Sequence, residues 1–180
     1  MESEPNLASW EQLVKLHRQP LFSYCYHMLR HKQEAEDAVQ EAFFQAMRRP
    51  RGIADISNAR AWLYKIAHRH CLNVMKRKNR LSFLLALVKR ETEAASDAPP
   101  PGAHPVEELL ALLSPLDRSI VVLRIVEERS YEDIAEIAQT TAGAVRKRFE
   151  RARRTIRQAC GPEGGSSHDA QSKARPVSFL

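Results

Sequence analysis

SYEDIAEIAQTTAGAVRKRFERARRTIR, residues 130–157, reads as a short amphipathic helix, a tight turn and a second helix with a dense basic face. Tyr131, Ile134, Ala135 and Ala138 recur at helical spacing, and Ser130 with Asp133 makes a capping-box start. Gln139, Thr140 and Thr141 form the break, and either threonine is suited to cap the next helix. The second helix is expected to bury Val145, Phe149, Ala152 and Ile156. Its outer face carries Arg146, Lys147, Arg148, Arg151, Arg153, Arg154 and Arg157 against one acid, Glu150. That local excess equals the formal charge of the whole chain, +6. A helix this narrow and basic, placed after a capped helix and a turn, fits a DNA major groove and neutralises phosphates.

The charge of the chain as a whole suits a polyanionic partner. Its pI is near 9.5. No run approaches the length of a membrane span, and MESEPNLASW at the start is acidic without an apolar signal core. These features predict a cytoplasmic protein with no membrane insertion. Cys25, Cys71 and Cys160 are odd in number and never in CxxC spacing, which argues for a reducing compartment and against a zinc or disulfide framework. Six glycines and few alternating apolar runs point to helices throughout. The expected fold is all-α: two small helical domains joined by a Pro-rich linker.

Composition divides the chain into a short arm (1–8), a first block (9–90), a linker (91–105), a second block (106–161) and a disordered tail (162–180). The linker contains four prolines between positions 99 and 105, and Gly161-Pro162 stops the last helix. In the first block, Leu13, Leu16 and Leu21 through Leu29 suggest a helix broken or bent near Pro20. A second helix from about Gln33 buries Ala35, Val39, Ala42, Phe43 and Ala46. It displays Glu34, Asp37 and Glu41 on one exposed face, with Gln40 beside them. RRPRGIADISNAR reads as a loop, and a third helix begins near Asn58. Leu63, Ile66, Ala67, His70 and Val74 are its expected inner face. Lys65, Arg69, Asn73, Lys76 and Arg77 recur on the other side as a second basic surface. Trp62 and Tyr64 stand at its start, where aromatic rings either stack on unpaired bases or join the core. LSFLLALVK at 81–89 is expected to extend the first block's core, with an inhibitor-docking strip as the other reading.

The second block opens with Val106, Leu109, Leu110, Leu112 and Leu113. Ser114-Pro115-Leu116-Asp117 then restarts a helix with Ser as cap, Pro at the first position and Asp at the third. Ile120, Val121, Leu123 and Ile125 supply the stripe that packs under the helix-turn-helix. Four short helices around one small core complete this domain.

Taken in order, the blocks resemble the extracytoplasmic-function (ECF) group of bacterial sigma-70 factors. EAEDAVQEAFFQA (34–46) resembles the group's acidic DAEDLVQEVF-type signature. ARAWLYKIAHRHCLNVMKRK (59–78) resembles its WLYRIARNxxxDxxRR segment. LLSPLDRSIVVLRIVEERSYEDIAEIAQTTAGAVRKRFERARRTIR (112–157) resembles its region with the helix-turn-helix. The resemblance implies a promoter-recognition subunit of RNA polymerase, not an enzyme and without a cofactor. It implies that Glu34, Asp37, Gln40 and Glu41 meet core polymerase at the beta-prime clamp, where opposed charges give steering and register. A second contact with the beta flap is implied for the second block. Residues Ile53 to Asn58, with Trp62, Lys65, Arg69, Asn73, Lys76 and Arg77, match the part that reads and melts the minus-ten element. Thr141, Arg146, Lys147, Arg148 and Arg151 match the part that reads the minus-thirty-five element. An anti-sigma partner and a stress- or signal-responsive regulon are further implications.

The chain departs from the group's pattern at three places. Arg69 and Asn73 stand where Asn and Asp are usual, which adds positive charge and removes a carboxylate. Gly143-Ala144-Val145 replaces Gly-Thr-Val, removing one hydroxyl from the recognition helix. The competing reading is a stand-alone helix-turn-helix regulator, although no dimerisation heptad accompanies it. His27/His31 and His68/His70 lack the carboxylates or cysteines of a metal site, and no glycine-rich phosphate loop occurs.

Overall fold

The computed structural model describes residues 7–48, 58–89 and 105–160, and every regular element in them is helical. Three helices form the first block: α1 (Leu7–Leu29), α2 (Lys32–Met47) and α3 (Ala59–Lys89). Four form the second: α4 (Pro105–Ala111), α5 (Pro115–Val121) running into a π-helical turn at Val122–Val126, α6 (Tyr131–Ala138) and α7 (Ala142–Ala159). The expectations for the arm, the linker, the tail and the loop before Asn58 fall outside the described residues.

α1 is one continuous helix through Pro20 rather than two. Proline removes a single N–H, whose usual acceptor is the carbonyl of Leu16, and Leu16 is itself open to water. α2 starts at His31, whose imidazole Nδ1 accepts from the Glu34 N–H at 3.3 Å. Its buried stripe is Ala35, Ala38, Val39, Ala42, Phe43 and Ala46, and its four alanines let neighbouring helices approach closely. Asn58 caps α3, accepting from the Ala61 N–H at 3.0 Å.

The inner face of α3 differs from the sequence expectation. Ala61, Leu63, Tyr64, Ala67, His68, Cys71, Val74 and Met75 are buried, whereas His70 and Ile66 are only partly covered. The helix must satisfy neighbours on two sides, α1 and α2 on one and the second block on the other. Its far end is also not core. Leu81, Phe83, Leu84 and Leu85 are all at least half exposed, because α3 outruns the helices it packs on.

In the second block the expected caps are present. Ser114 Oγ accepts from the Asp117 N–H, and Ser130 with Asp133 closes a complete capping box. Thr141, not Thr140, caps α7 by accepting from the Ala144 N–H at 3.2 Å. Val122 joins Ile120, Val121 and Leu123 in the core, while Ile125 points outward, since the π turn shifts the register after residue 121. Leu110 and Leu113 are the buried pair of the opening helix; Val106 and Leu112 are exposed.

The π turn ends in a Schellman-like closure, with the Arg129 N–H donating to the Leu123 carbonyl at 2.9 Å. Glu128 lies inside that closure at φ 51°, left-handed backbone where a Cβ is unfavourable. Glu128 is exposed, and among the described residues no hydrogen bond of its carboxylate constrains the exchange. Glu128→Gly is therefore expected to raise unfolding stability by about 0.5–1 kcal/mol, the relief of strain exceeding glycine's extra chain entropy. A urea-unfolding midpoint that fell instead would contradict this account.

The two blocks pack against each other. Tyr24 of α1, His68 of α3 and Ser119 of α5 form a buried ring of hydrogen bonds at 2.8, 2.9 and 3.1 Å. The buried Arg118 donates to the carbonyls of Leu110 (2.9 Å) and, across the seam, of Met28 near the end of α1 (3.0 Å). Tyr64 donates to the Glu127 carboxylate, and the Arg129 guanidinium lies 5.0 Å from the Tyr64 ring. Arg30 and Glu107 pair at the edge at 3.3 Å.

Candidate nucleic-acid interface

Three charged surfaces emerge from this packing. On α7, burial of Val145, Phe149 and Ala152 leaves Arg146, Lys147, Arg151, Arg153, Arg154 and Arg157 on the open side. Thr141 stands exposed at the helix start. Arg146 does not wave freely: its guanidinium sits 5.2 Å from the Tyr131 ring centre, and Arg124 occupies the same ring at 5.1 Å. Arg148 turns to the flank, where it donates to Asp117 of α5 at 2.8 Å. Arg153 pairs within its own helix with Glu150.

On α3, Arg69, Asn73, Lys76 and Arg77 are exposed and Lys65 is half-buried. Trp62 is half-buried against the core, and Tyr64 is fully buried, so Tyr64 is not a surface for stacking bases. The two basic surfaces meet at one point, where Arg69 donates to the Gln139 side chain at 3.4 Å. Gln139 holds the helix-turn-helix turn at φ 54°.

On α2, Asp37 and Gln40 are exposed and Glu41 is partly so. Among the described residues their partners are amides, Gln33 for Asp37 and Gln45 for Glu41, rather than cations. Glu34 differs: it is tied to Lys78 of α3 at 2.6 Å. Phe44 and Met47, which sequence reasoning left out, continue the Asp37–Gln40–Glu41 stripe by further turns and are exposed. Their place next to the buried Phe43 and Ala46, just off the apolar stripe, is the signal that marks them. Among the described residues no group of three His, Cys, Asp or Glu is placed to hold a metal ion.

Residues 13–81 match the family model for sigma-70 region 2, and residues 103–156 match that for sigma-70 region 4. The chain belongs to the sigma-70 family of sigma factors. The Bacillus subtilis RNA polymerase sigma factor YlaC is 28% identical over 158 residues, spanning 83% of this sigma factor and 91% of YlaC. The ECF sigma factor SigE of Mycolicibacterium smegmatis is 28% identical over 175 residues, 92% of this chain and 66% of SigE. Among solved structures, RpoE of Bartonella quintana in complex with the anti-sigma factor NepR superposes with TM-score 0.65 at 22% identity, covering 86% of this chain and 98% of that one. CnrH in complex with the cytosolic domain of CnrY gives 0.63 at 21%, covering 88% and 92%. The relatives place this sigma factor in the ECF group.

The seam between the sigma factor's two blocks carries a titratable group. Burial, and after it the Arg69 charge, lowers the pKa of His68 to about 4 from an ordinary 6.5. His17 is lowered too, by burial and then by Arg60 and Arg129. Burial likewise keeps the Tyr24 phenol protonated. Between pH 6.5 and 4 the unfolded chain binds a proton at position 68 that the folded chain refuses. Stability is therefore full above about pH 6.5 and falls as pH is lowered toward 4, by up to about 3 kcal/mol. Unfolding midpoints measured against pH should show this slope in the native chain and a shallower one in His68→Gln. Equal slopes would exclude His68 as its source. No helix among the described residues is long and apolar enough to cross a membrane.

Proposed function

We propose that this chain is an ECF-type initiation subunit whose α2 carboxylate stripe docks on core RNA polymerase. In this reading α3 reads and opens the minus-ten element, and α7 reads the minus-thirty-five element. The observation that carries it is the coexistence, in one chain, of two α2 carboxylates, Asp37 and Glu41, that have no cationic partner among the described residues, and two separate exposed basic faces on α3 and α7. Docking on the clamp would use Asp37, Gln40 and Glu41, with Phe44 and Met47 adding apolar contact. Glu34 would serve mainly to hold α2 on α3. We place the protein in the cytoplasm, where its polymerase and promoter partners are, and expect an anti-sigma protein to control it.

Geometry imposes a condition on this function. The two promoter elements lie about 25 base pairs apart, or about 85 Å at 3.4 Å per pair. Here α3 touches the turn of the helix-turn-helix through Arg69 and Gln139. Both elements can be read together only after the seam opens. The closed arrangement is accordingly a resting state, and tight promoter binding is expected on addition of core. Transcription from genomic fragments by core polymerase plus this protein, with start sites mapped, tests the reading. Tight, specific promoter binding without core would favour a stand-alone regulator instead.

The two basic faces should separate by what they do to DNA. Neutralising Arg146, Lys147 and Arg151 is expected to weaken closed-complex binding and to lower its salt dependence by roughly one unit of slope per lost phosphate contact. Substituting Trp62, Asn73 and Lys76 is expected chiefly to reduce strand opening, because their partners appear only when bases unstack. Permanganate footprinting beside duplex-binding assays distinguishes the two. Equal losses of both from the α3 variants, without rescue on a pre-melted template, would remove melting from α3.

A further inference from the structure

His68 is a buried imidazole placed where the two blocks meet. It belongs to α3, and its Nδ1 lies 2.9 Å from the Ser119 hydroxyl of α5, in the second block. The Tyr24 hydroxyl of α1 stands 3.1 Å from the same nitrogen and 2.8 Å from Ser119. Three side chains from three helices thus close one polar ring. A neutral imidazole completes it: one hydroxyl donates to the other, and that one donates to Nδ1. Nothing facing the ring would balance a charge. From α1 comes the Tyr24 phenol, which burial keeps protonated. From α5 comes Ser119, and its neighbour Arg118 is a cation turned to the carbonyls of Leu110 and Met28. α6 sends Gln139 to Arg69, while its Asp133 is engaged at its own cap. Glu34 of α2 is held by Lys78, and Glu127, after the π turn, by Tyr64 and Arg129. On α3 itself Tyr64 and Cys71, about a turn away on either side, are neutral, and Arg69 has the same sign as an imidazolium. A proton on His68 therefore puts a positive charge into the seam with no anion bonded to it among the described residues.

We propose that the seam is a proton-operated latch, in which protonation of His68 releases α5 from α1 and α3 and moves the chain from the closed to the open arrangement. In the closed form burial, and after it the Arg69 charge, holds the imidazole down at about 4. Once α5 withdraws and water reaches the ring, the imidazole regains its ordinary value of about 6.5. Opening thus takes up a proton. By linkage the opening constant rises as pH falls from 6.5 toward 4, and it is flat above about pH 7, where His68 is neutral in both forms. Between pH 7.5 and 5.5 the rise is about tenfold. The latch gives acid control over the closed arrangement, and its bearing on transcription rests on the reading of that arrangement as a resting state.

The test follows opening in the full-length chain without polymerase or DNA, so its failure is distinct from a failure of the promoter reading. Ala61 of α3 and Ile137 of α6 are buried and line one cleft between the blocks. In Ala61→Cys, with the exposed Cys160 changed to Ser, the new thiol reacts with dithiodipyridine only when the blocks part. Peptide mapping separates it from Cys25 and Cys71. Its rate, divided by that of a free thiol at the same pH, is expected to rise about tenfold from pH 7.5 to 5.5 while helicity is unchanged. Adding His68→Gln, uncharged at both pH values, should remove most of that rise. His17 is present in both proteins, so the difference belongs to His68. Ile137→Cys reads the same opening from the other wall and serves if Ala61→Cys does not fold. A rate independent of pH, or a rise that survives His68→Gln, would overturn the proposal. So would labelling that steepens with urea as strongly as global unfolding, because the proton would then act on the whole fold and not on the seam.

Discussion

Reversing Asp37 and Glu41 to lysine together should abolish co-purification with core polymerase, a fall of about a hundredfold or more in affinity. In the proposed docking, two carboxylates that would face basic residues become two cations, and like charges across an interface cost several kcal/mol. The helix itself should tolerate the change. Neither carboxylate has a cationic partner among the described residues, and lysine is at least as good a helix former as aspartate or glutamate. Far-ultraviolet circular dichroism should thus be unchanged while binding is lost. Part of the native affinity should also weaken with salt, as expected for exposed charges. Co-purification that survives both reversals would leave the docking assignment without support. Phe44→Ala should weaken binding through lost apolar contact and without altering salt dependence, since its ring is exposed on the same stripe.

Arg118→Met is expected to be the most damaging single change at the seam, lowering stability by about 3–5 kcal/mol. The Arg118 side chain links two blocks by donating to two carbonyls, and one of them, Met28, lies where the carbonyl dipoles of α1 converge. Methionine fills much of the space but satisfies neither acceptor. Burial already disfavours the Arg118 charge, with the Arg30 charge adding to that, so the carbonyls are what keep the guanidinium in place. Arg118→Lys should fall between, because an ammonium lacks the planar fork that spans both acceptors. Urea midpoints give the stability, and small-angle scattering should show the variant more extended than the native chain. An unchanged midpoint with unchanged dimensions would mean that Arg118 does not hold the seam.

Local signals were legible because their causes are local. Ser114, Ser130 and Thr141 cap helices through N–H groups three residues away, and that chemistry can be read within one turn of sequence. The α7 stripe of Val145, Phe149 and Ala152 was likewise visible, since one helix side faces one small core. α3 was misread for the opposite reason. It is covered on two sides, so its buried set is wider than one stripe and includes the polar His68. The run Tyr64, Ala67, His68, Cys71 and Met75 holds helical spacing and was available as a signal, but polarity at 68 hid it.

The sequence by itself determined the helical class, the two blocks in their order, and the three charged faces, because periodicity, capping and charge all act within a few residues. Only the tertiary structure decided which charges remain open for a partner. Glu34 is taken by Lys78 and Arg148 by Asp117, whereas among the described residues Asp37 and Glu41 have only amides. It also decided that the blocks close on one another through Tyr24, His68, Ser119 and Arg118. These pairings join residues 31 to 95 positions apart, and no local pattern encodes them. They follow from the helix crossings, which depend on how all the buried side chains pack at once.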